Sequence, residues 1–378
     1  MDRIFEIDDL IKVAKRENNN KRSYLYVNPI QGKHVPVSPS LSMKLFEQMA
    51  RKLESRYIGK KILVIGFAET ATAIGSMVAY EANNVKYHMN TTREDIAGAE
   101  YLIFTESHSH ATEQRLVKNC LQETIENIDC IIFVEDEVTT GNTIEKLINV
   151  IRGEFDCSRC QFGIISILNS MTEERLNQLS NKKIICDFIK KVPSQYRIGE
   201  INQFKYKLLE TEIKNNFQNS YNQICIGNYW NSRVVTEISV LKERVESFVT
   251  ETLANIAWCE EPEKVLVLGT EEFMFPAMLI GKKLEEKYRN AEVKFHATTR
   301  SPIEVSDGDS YPLHERKPLI SLYEAERYTF IYNLQRYDQV IVVTDSGKIN
   351  ETGIFSLLAA LEEAGNTNIT VVQWRDER

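Results

Sequence analysis

Two neighbouring carboxylates, Glu135 and Asp136, end the apolar run Ile131-Ile132-Phe133-Val134. A hydroxyl-rich turn follows them: Thr139-Thr140-Gly141-Asn142-Thr143. The apolar run reads as a buried parallel strand, and the turn reads as the opening of a helix over 144–151. Backbone N–H groups at such a turn suit a phosphate. Gly141 lets the backbone approach closely, and the threonine hydroxyls add donors. The carboxylates can accept hydrogen bonds from sugar hydroxyls. One ligand with vicinal hydroxyls and a nearby phosphate satisfies both parts: a ribose 5-phosphate. The bland alternative is an acidic strand end followed by a helix cap, which needs far less than the ordered Glu-Asp-x-x-Thr-Thr-Gly-x-Thr.

Ligands of open α/β sheets sit at the carboxyl ends of the strands, so the elements around this run decide what it can do. Residues 61–65 form a second short apolar run, ending at Gly66 and leading to a helix over 70–82. Strands are predicted at 85–90, 101–104, 162–168 and 184–188. A short strand is predicted at 24–27, after an amphipathic stretch over 4–13. Leu41, Leu45, Met49 and Leu53 recur every four residues and mark a helix. Strands alternating with helices predict an α/β domain with a mostly parallel sheet.

The pattern then starts again. Residues 264–268 end at Gly269 as 61–65 end at Gly66. Thr298-Thr299-Arg300 echoes Thr91-Thr92-Arg93, and the run into Asp345 echoes the run into Asp136. Three shared features in one order predict an internal duplication. The expected architecture is therefore two Rossmann-like parallel-sheet domains, at 1–225 and 226–378, the second a degenerate repeat of the first. Its counterpart of the acidic turn, Thr344-Asp345-Ser346-Gly347, has one acid and lacks Thr-Gly-x-Thr. With Thr299, Arg300 and Ser301 it forms a candidate second ligand site, or a purely structural repeat. Tyr323, Tyr328 and Tyr332 lie near helical spacing and are expected to pack rather than to bind a base.

The chain has 378 residues, 54 acidic against 46 basic, and a net charge of -8. That balance disfavours a general nucleic-acid binder. No apolar run is long enough to span a bilayer, and carboxylates interrupt the first residues, so a cytoplasmic protein is expected. Seven cysteines spread along the chain do not suggest a disulfide framework. Cys157-Ser158-Arg159-Cys160 is expected to be a surface turn. No Gly-Lys pair is followed by Ser or Thr, and no GxGxxG occurs, so two common nucleotide motifs are absent.

The acidic turn closely resembles the phosphoribosyl-pyrophosphate (PRPP) motif of type I phosphoribosyltransferases, with Glu135 where Asp is commoner. Four further segments resemble a bacterial family with an orotate-phosphoribosyltransferase-like domain and a domain named for Thr-Arg-Ser-Pro. They are Gln31-Gly32-Lys33-His34-Val35-Pro36, Ala68-Glu69-Thr70-Ala71-Thr72, Glu106-Ser107-His108-Ser109-His110 and Thr299-Arg300-Ser301-Pro302. That resemblance implies a context of tellurite-resistance and stress operons, and a nucleoside-like product. It implies that Glu135 and Asp136 hold ribose and touch PRPP-bound magnesium indirectly. Thr139, Thr140, Gly141, Asn142 and Thr143 would bind the 5-phosphate, and Ala68, Glu69 and Thr70 would meet pyrophosphate.

Glu106, His108 and His110 are candidate catalytic residues in a loop expected to close over the site, where a histidine would donate to pyrophosphate or exchange a proton with the nucleophile; a solvated loop and a His-x-His metal site are the alternatives. Arg93, also a catalytic candidate, and Arg115 are candidate phosphate partners, with plain surface charge as their alternative. Lys33 and His34 enter as a lid or base-side element. The implied partners are PRPP and a nucleobase-like molecule, with a homodimer or a biosynthetic complex as further expectations. Two alternatives stand beside transfer: a non-catalytic PRPP or nucleotide sensor, and an assembly subunit.

Overall fold

The computed structural model describes residues 3–19, 22–105, 113–258 and 261–376. The chain opens with α1 (Ile7–Leu10), the antiparallel pair β1 (Lys12–Lys15) and β2 (Tyr24–Val27), and α2 (Pro39–Arg56). Then come β3 (Ile62–Gly66), α3 (Thr72–Glu81), β4 (Val85–Asn90) and an antiparallel hairpin, β5 (Tyr101–Thr105) and β6 (Glu113–Val117). They are followed by α4 (Leu121–Glu126), β7 (Cys130–Val138), α5 (Asn142–Glu154), β8 (Gln161–Asn169), α6 (Glu173–Asn181) and β9 (Ile184–Lys191). Next are β10 (Asn222–Ile226), β11 (Thr236–Glu237), α7 (Ile238–Asn255), β12 (Lys264–Gly269), α8 (Phe275–Lys287) and β13 (Glu292–Ala297). A second hairpin, β14 (Arg316–Ile320) and β15 (Tyr328–Tyr332), precedes β16 (Gln339–Thr344), α9 (Glu351–Glu363) and β17 (Ile369–Trp374).

These elements form two compact units. The first comprises Lys44–Tyr196 and Trp230–Glu243. Its sheet runs β11-β4-β3-β7-β8-β9, parallel except for the short edge strand β11. Both faces are covered, so β3 is buried at every position. Helix α5 buries Ile144, Leu147, Ile148 and Ile151, the one-sided stripe that a 3.6-residue period dictates. Gly66 and Gly75 let α3 lie against β3: a Cβ on Gly75 would stand 2.7 Å from the Gly66 Cα.

The second unit comprises Met1–Met43, Arg197–Tyr229 and Arg244–Arg378. Its sheet, β10-β17-β16-β12-β13, is parallel throughout. The order β13-β12-β16-β17 matches β4-β3-β7-β8 of the first unit, and each unit carries an antiparallel hairpin between the corresponding strands. The fifth strand differs. β9 follows β8 in the chain, whereas β10 precedes β12.

The 225/226 division and these units are drawn differently. Residues of β1 and β2 enter a core with Ile303, Val305, Tyr311 and Tyr332, and Arg16 and Val37 bridge to Ile303 and Phe295. Those long-range pairings carry no local signal. The tyrosines near helical spacing lie on no helix. Tyr328 and Tyr332 are the two ends of β15, and Tyr323 lies in the turn before it. Their i, i+4 spacing is equally compatible with a strand's period of two. Among the described residues, no helix is long and apolar enough to cross a membrane.

Candidate active site

The acidic residues sit on a strand that outruns its neighbour. β7 pairs with β3 only as far as Val134, opposite Gly66. On its other side it continues along β8, with Glu135 opposite Ser166 and Val138 opposite Asn169. The expected strand end at Val134 is thus the end of one ladder only. Glu135, Asp136 and Glu137 lie on the overhang, half-buried. The pleat assigns Glu135 and Glu137 to one face and Asp136 to the other.

β3 and β7 are also where the sheet changes direction, since the chain goes from β3 to β4 on one side and to β7 on the other. That switch point is where ligands of open α/β sheets bind. The turns after β3 and β7 flank it, and Thr70 joins them, donating to Asp136 Oδ1 at 3.0 Å. Of the predicted groups 68–70 and 135–136, Thr70 and Asp136 are therefore brought together.

The turn after β3 is built tightly. Phe67 N–H bonds to Val134 O at 3.1 Å, Ala71 N–H closes onto Phe67 O at 2.9 Å, and the Ala68–Glu69 peptide is cis. Glu69 is buried. The turn after β7 ends at Gly141, whose φ of 68° is in the left-handed region and which caps α5. A Cβ there would meet Met171 Sδ at 3.3 Å and Leu179 Cδ1 at 3.5 Å, so glycine serves both φ and packing. Thr139, Thr140 and Thr143 are half-buried and Asn142 is exposed.

Sequence reasoning missed the residue that clamps this turn. Arg175, on α6, donates from Nε to Thr140 O at 2.8 Å and from Nη2 to Asn142 Oδ1 at 3.1 Å. Its Nη2 also meets Glu145 Oε2 at 2.6 Å. Burial works to raise Glu145, but its bonds with Lys182 and Arg175 outweigh that and hold its carboxyl below the usual range. The one sequence signal was the N-cap: Thr172 Oγ1 accepts from Arg175 N–H and starts α6, which fixes where Arg175 stands.

The other predicted residues are distributed as follows. Glu106, His108 and His110 lie outside the described residues. Arg93 is half-buried on the segment after β4. Arg115 is engaged by Glu113 at 3.0 Å and by Asp95. Lys33 and His34 are buried in the second unit, not exposed as a lid element would be. Lys33 Nζ donates to Glu271 O at 2.6 Å and to Thr298 O at 3.1 Å.

In the second unit the corresponding strand ends are closed by their own side chains. Arg300 Nε and Arg327 Nη1 both donate to Glu271 Oε2, at 2.7 and 3.1 Å, and Ser321 Oγ donates to Oε1. Asp345 accepts from Tyr323 at 2.6 Å and Tyr229 at 2.7 Å. Thr299 pairs its backbone with Phe330, Ser301 N–H bonds to Thr299 Oγ1 at 3.2 Å, and Ser346 Oγ bonds to Leu322 O at 3.0 Å. Gly347 is exposed, and its carbonyl accepts from Arg375 at 2.9 Å.

A parallel α/β sheet with paired acids and a glycine turn at its switch point defines a nucleotide- or sugar-phosphate-binding class. Comparison narrows it. Residues 10–192 match the family described as phosphoribosyl transferase, and residues 237–361 match the TRSP domain that stands C-terminal to it. The chain belongs to the phosphoribosyltransferases that carry this C-terminal domain.

Among solved structures, it is similar to adenine phosphoribosyltransferase from Trypanosoma brucei in complex with AMP, pyrophosphate and ribose-5-phosphate. The identity is 14% over 48% of this chain and 77% of that one, with a TM-score of 0.34. The enzyme from Thermoanaerobacter pseudethanolicus is 15% identical over 48% and 96%, with a TM-score of 0.34. That from Saccharomyces cerevisiae is 13% identical over 48% and 94%, with a TM-score of 0.35. No curated protein matches the chain.

Proposed function

We propose that the first unit transfers a phosphoribosyl group between PRPP and a nucleobase-like acceptor, in either direction. The observation that carries this reading is the contact of Thr70 with Asp136 at the switch point, beside the turn at Gly141. A nitrogen of the acceptor attacks the anomeric carbon, the bond from that carbon to the pyrophosphate oxygen breaks, and pyrophosphate leaves with the electron pair. Charge develops on the ring and on the leaving group, so positioning and electrostatics do the work. Glu135 and Asp136 accept from the ribose hydroxyls. Residues 139–143 hold the 5-phosphate, and residues 68–70 meet pyrophosphate.

Among the described residues, no three His, Cys, Asp or Glu side chains gather to hold a metal. The hard carboxylate oxygens of Glu135 and Asp136 do suit magnesium. The site therefore fits an ion carried on PRPP and touched through water. Bound there, magnesium would neutralise much of the pyrophosphate charge.

The test is pyrophosphate release from PRPP and magnesium with a panel of nucleobases. Release that depends on one acceptor supports transfer. Binding of PRPP without release favours a sensor, and no binding at millimolar magnesium sinks both readings. For the second unit we infer a structural role, because Glu271 already fills the place between Arg300 and Arg327 that an anionic ligand would take.

A further inference from the structure

We propose that Gln114 is a positioning residue for the pyrophosphate end of the site, an assignment that rests on the PRPP reading above. Gln114 lies on β6, at the edge of the hairpin, and is 2% exposed. Its Nε2 donates to Ala68 O at 2.9 Å, and its Oε1 accepts from Thr91 Oγ1 at 3.0 Å. Thr91 Oγ1 in turn accepts from Ala68 N–H at 2.8 Å. The three groups close a ring in which every donor faces an acceptor. Ala68 O can only accept, which fixes the orientation of the Gln114 amide.

The ring takes hold of the turn after β3 at both polar atoms of Ala68, two residues before Thr70 and its bond to Asp136. The peptide is planar, so gripping the carbonyl of Ala68 fixes the plane that leads into Glu69. Side-chain freedom of Gln114 is already lost to burial. Its brace therefore adds no ordering cost when a ligand arrives, which is the use of preorganisation.

The second unit repeats the device with different chemistry. Glu271 N–H bonds to Thr298 Oγ1 at 3.0 Å, as Ala68 N–H bonds to Thr91. The donor to the Glu271 carbonyl is the ammonium of Lys33, not an amide. Two unrelated side chains, from different parts of the sequence, brace the corresponding residue after β3 and after β12. In the second unit the braced residue brings its own carboxylate. In the first it is Ala68, whose methyl carries no polar group into the space, so there the brace is set to serve a bound ligand.

Gln114→Glu keeps the size and the acceptor but sets an oxygen against Ala68 O. Thr91→Val removes the hydroxyl at the centre of the ring, and Thr91→Ser restores it. Titration calorimetry of each full-length variant would use magnesium pyrophosphate and, separately, ribose 5-phosphate. The expected result is a loss of about 10-fold or more in pyrophosphate affinity for Gln114→Glu and Thr91→Val. Ribose 5-phosphate affinity should stay within about 2-fold, with Thr91→Ser near wild type on both. Unchanged pyrophosphate affinity in both variants, or equal loss of both ligands, would overturn the assignment. Wild-type protein that binds neither ligand would instead overturn the PRPP reading beneath it.

Discussion

The two sheets end in opposite ways at equivalent places. In the first unit, β7 runs past β3 and carries Glu135, Asp136 and Glu137 on the overhang. In the second, β16 ends at Thr344, and the next residue, Asp345, is capped by two tyrosine hydroxyls. The second residue after β3 and after β12 differs in the same sense. Ala68 has no polar side chain, whereas Glu271 reaches into two guanidiniums and a serine. A shared strand order therefore does not make a shared site. What separates them is what the aspartate meets: Thr70 and the next backbone N–H in the first unit, two tyrosine hydroxyls in the second.

The largest test sets the two aspartates against each other. Asp136→Asn should lower kcat/KM for PRPP by about 100-fold, since hydrogen bonds from ribose hydroxyls to a charged acceptor are worth about 1.5–3 kcal/mol each. Asp345→Asn should change it by less than about 3-fold, a difference under 1 kcal/mol. Equal effects in the acceptor-dependent pyrophosphate assay would break the contrast.

Next is Glu271→Ala. It takes from two largely buried guanidiniums the carboxylate they share, leaving Arg300 with Glu272 at 3.6 Å and Arg327 with Glu324, a loss of about 2–3 kcal/mol in urea unfolding. A change under 1 kcal/mol would mean that the cluster is loose enough to admit a ligand.

The smallest effect is one the units share. Burial holds His88 in the first unit near about 3, and His296 in the second near about 4, against an ordinary 6.5. As pH falls below 6.5 the unfolded chain takes up protons that the folded chain refuses. Stability present above that pH is therefore lost as pH falls, through about 4 for His296 and about 3 for His88. Each contributes a slope of about 1.4 kcal/mol per pH unit. Unfolding midpoints at pH 7, 6 and 5 check this, and His88→Gln should remove roughly half of the slope.

Much of the site was legible because it is local. The apolar run into Glu135-Asp136 and the turn to Thr143 are contiguous, and strand burial and turn chemistry are written in neighbouring residues. The same holds for β3 with its glycine and for α5 with its four-residue apolar stripe. Less legible was the length of β7, because an acidic triplet reads as a strand's end unless β8 is known to continue beside it.

Sequence by itself determined where β3, β7, β8 and β12 lie, which turn carries the acids and glycine, and which half lacks them, but not β17, which is buried at every position. Only the tertiary structure decided what braces those turns. Gln114 meets Ala68 from 46 residues away and Lys33 meets Glu271 from 238. The N-terminal strands, a two-stranded sheet of their own, likewise packed against residues far off in sequence, among them Ile303 and Tyr332. Periodicity reports which face of an element is apolar. It says nothing of which distant donor will satisfy a buried carbonyl, and that choice is made only when the chain folds and the carbonyl loses its water.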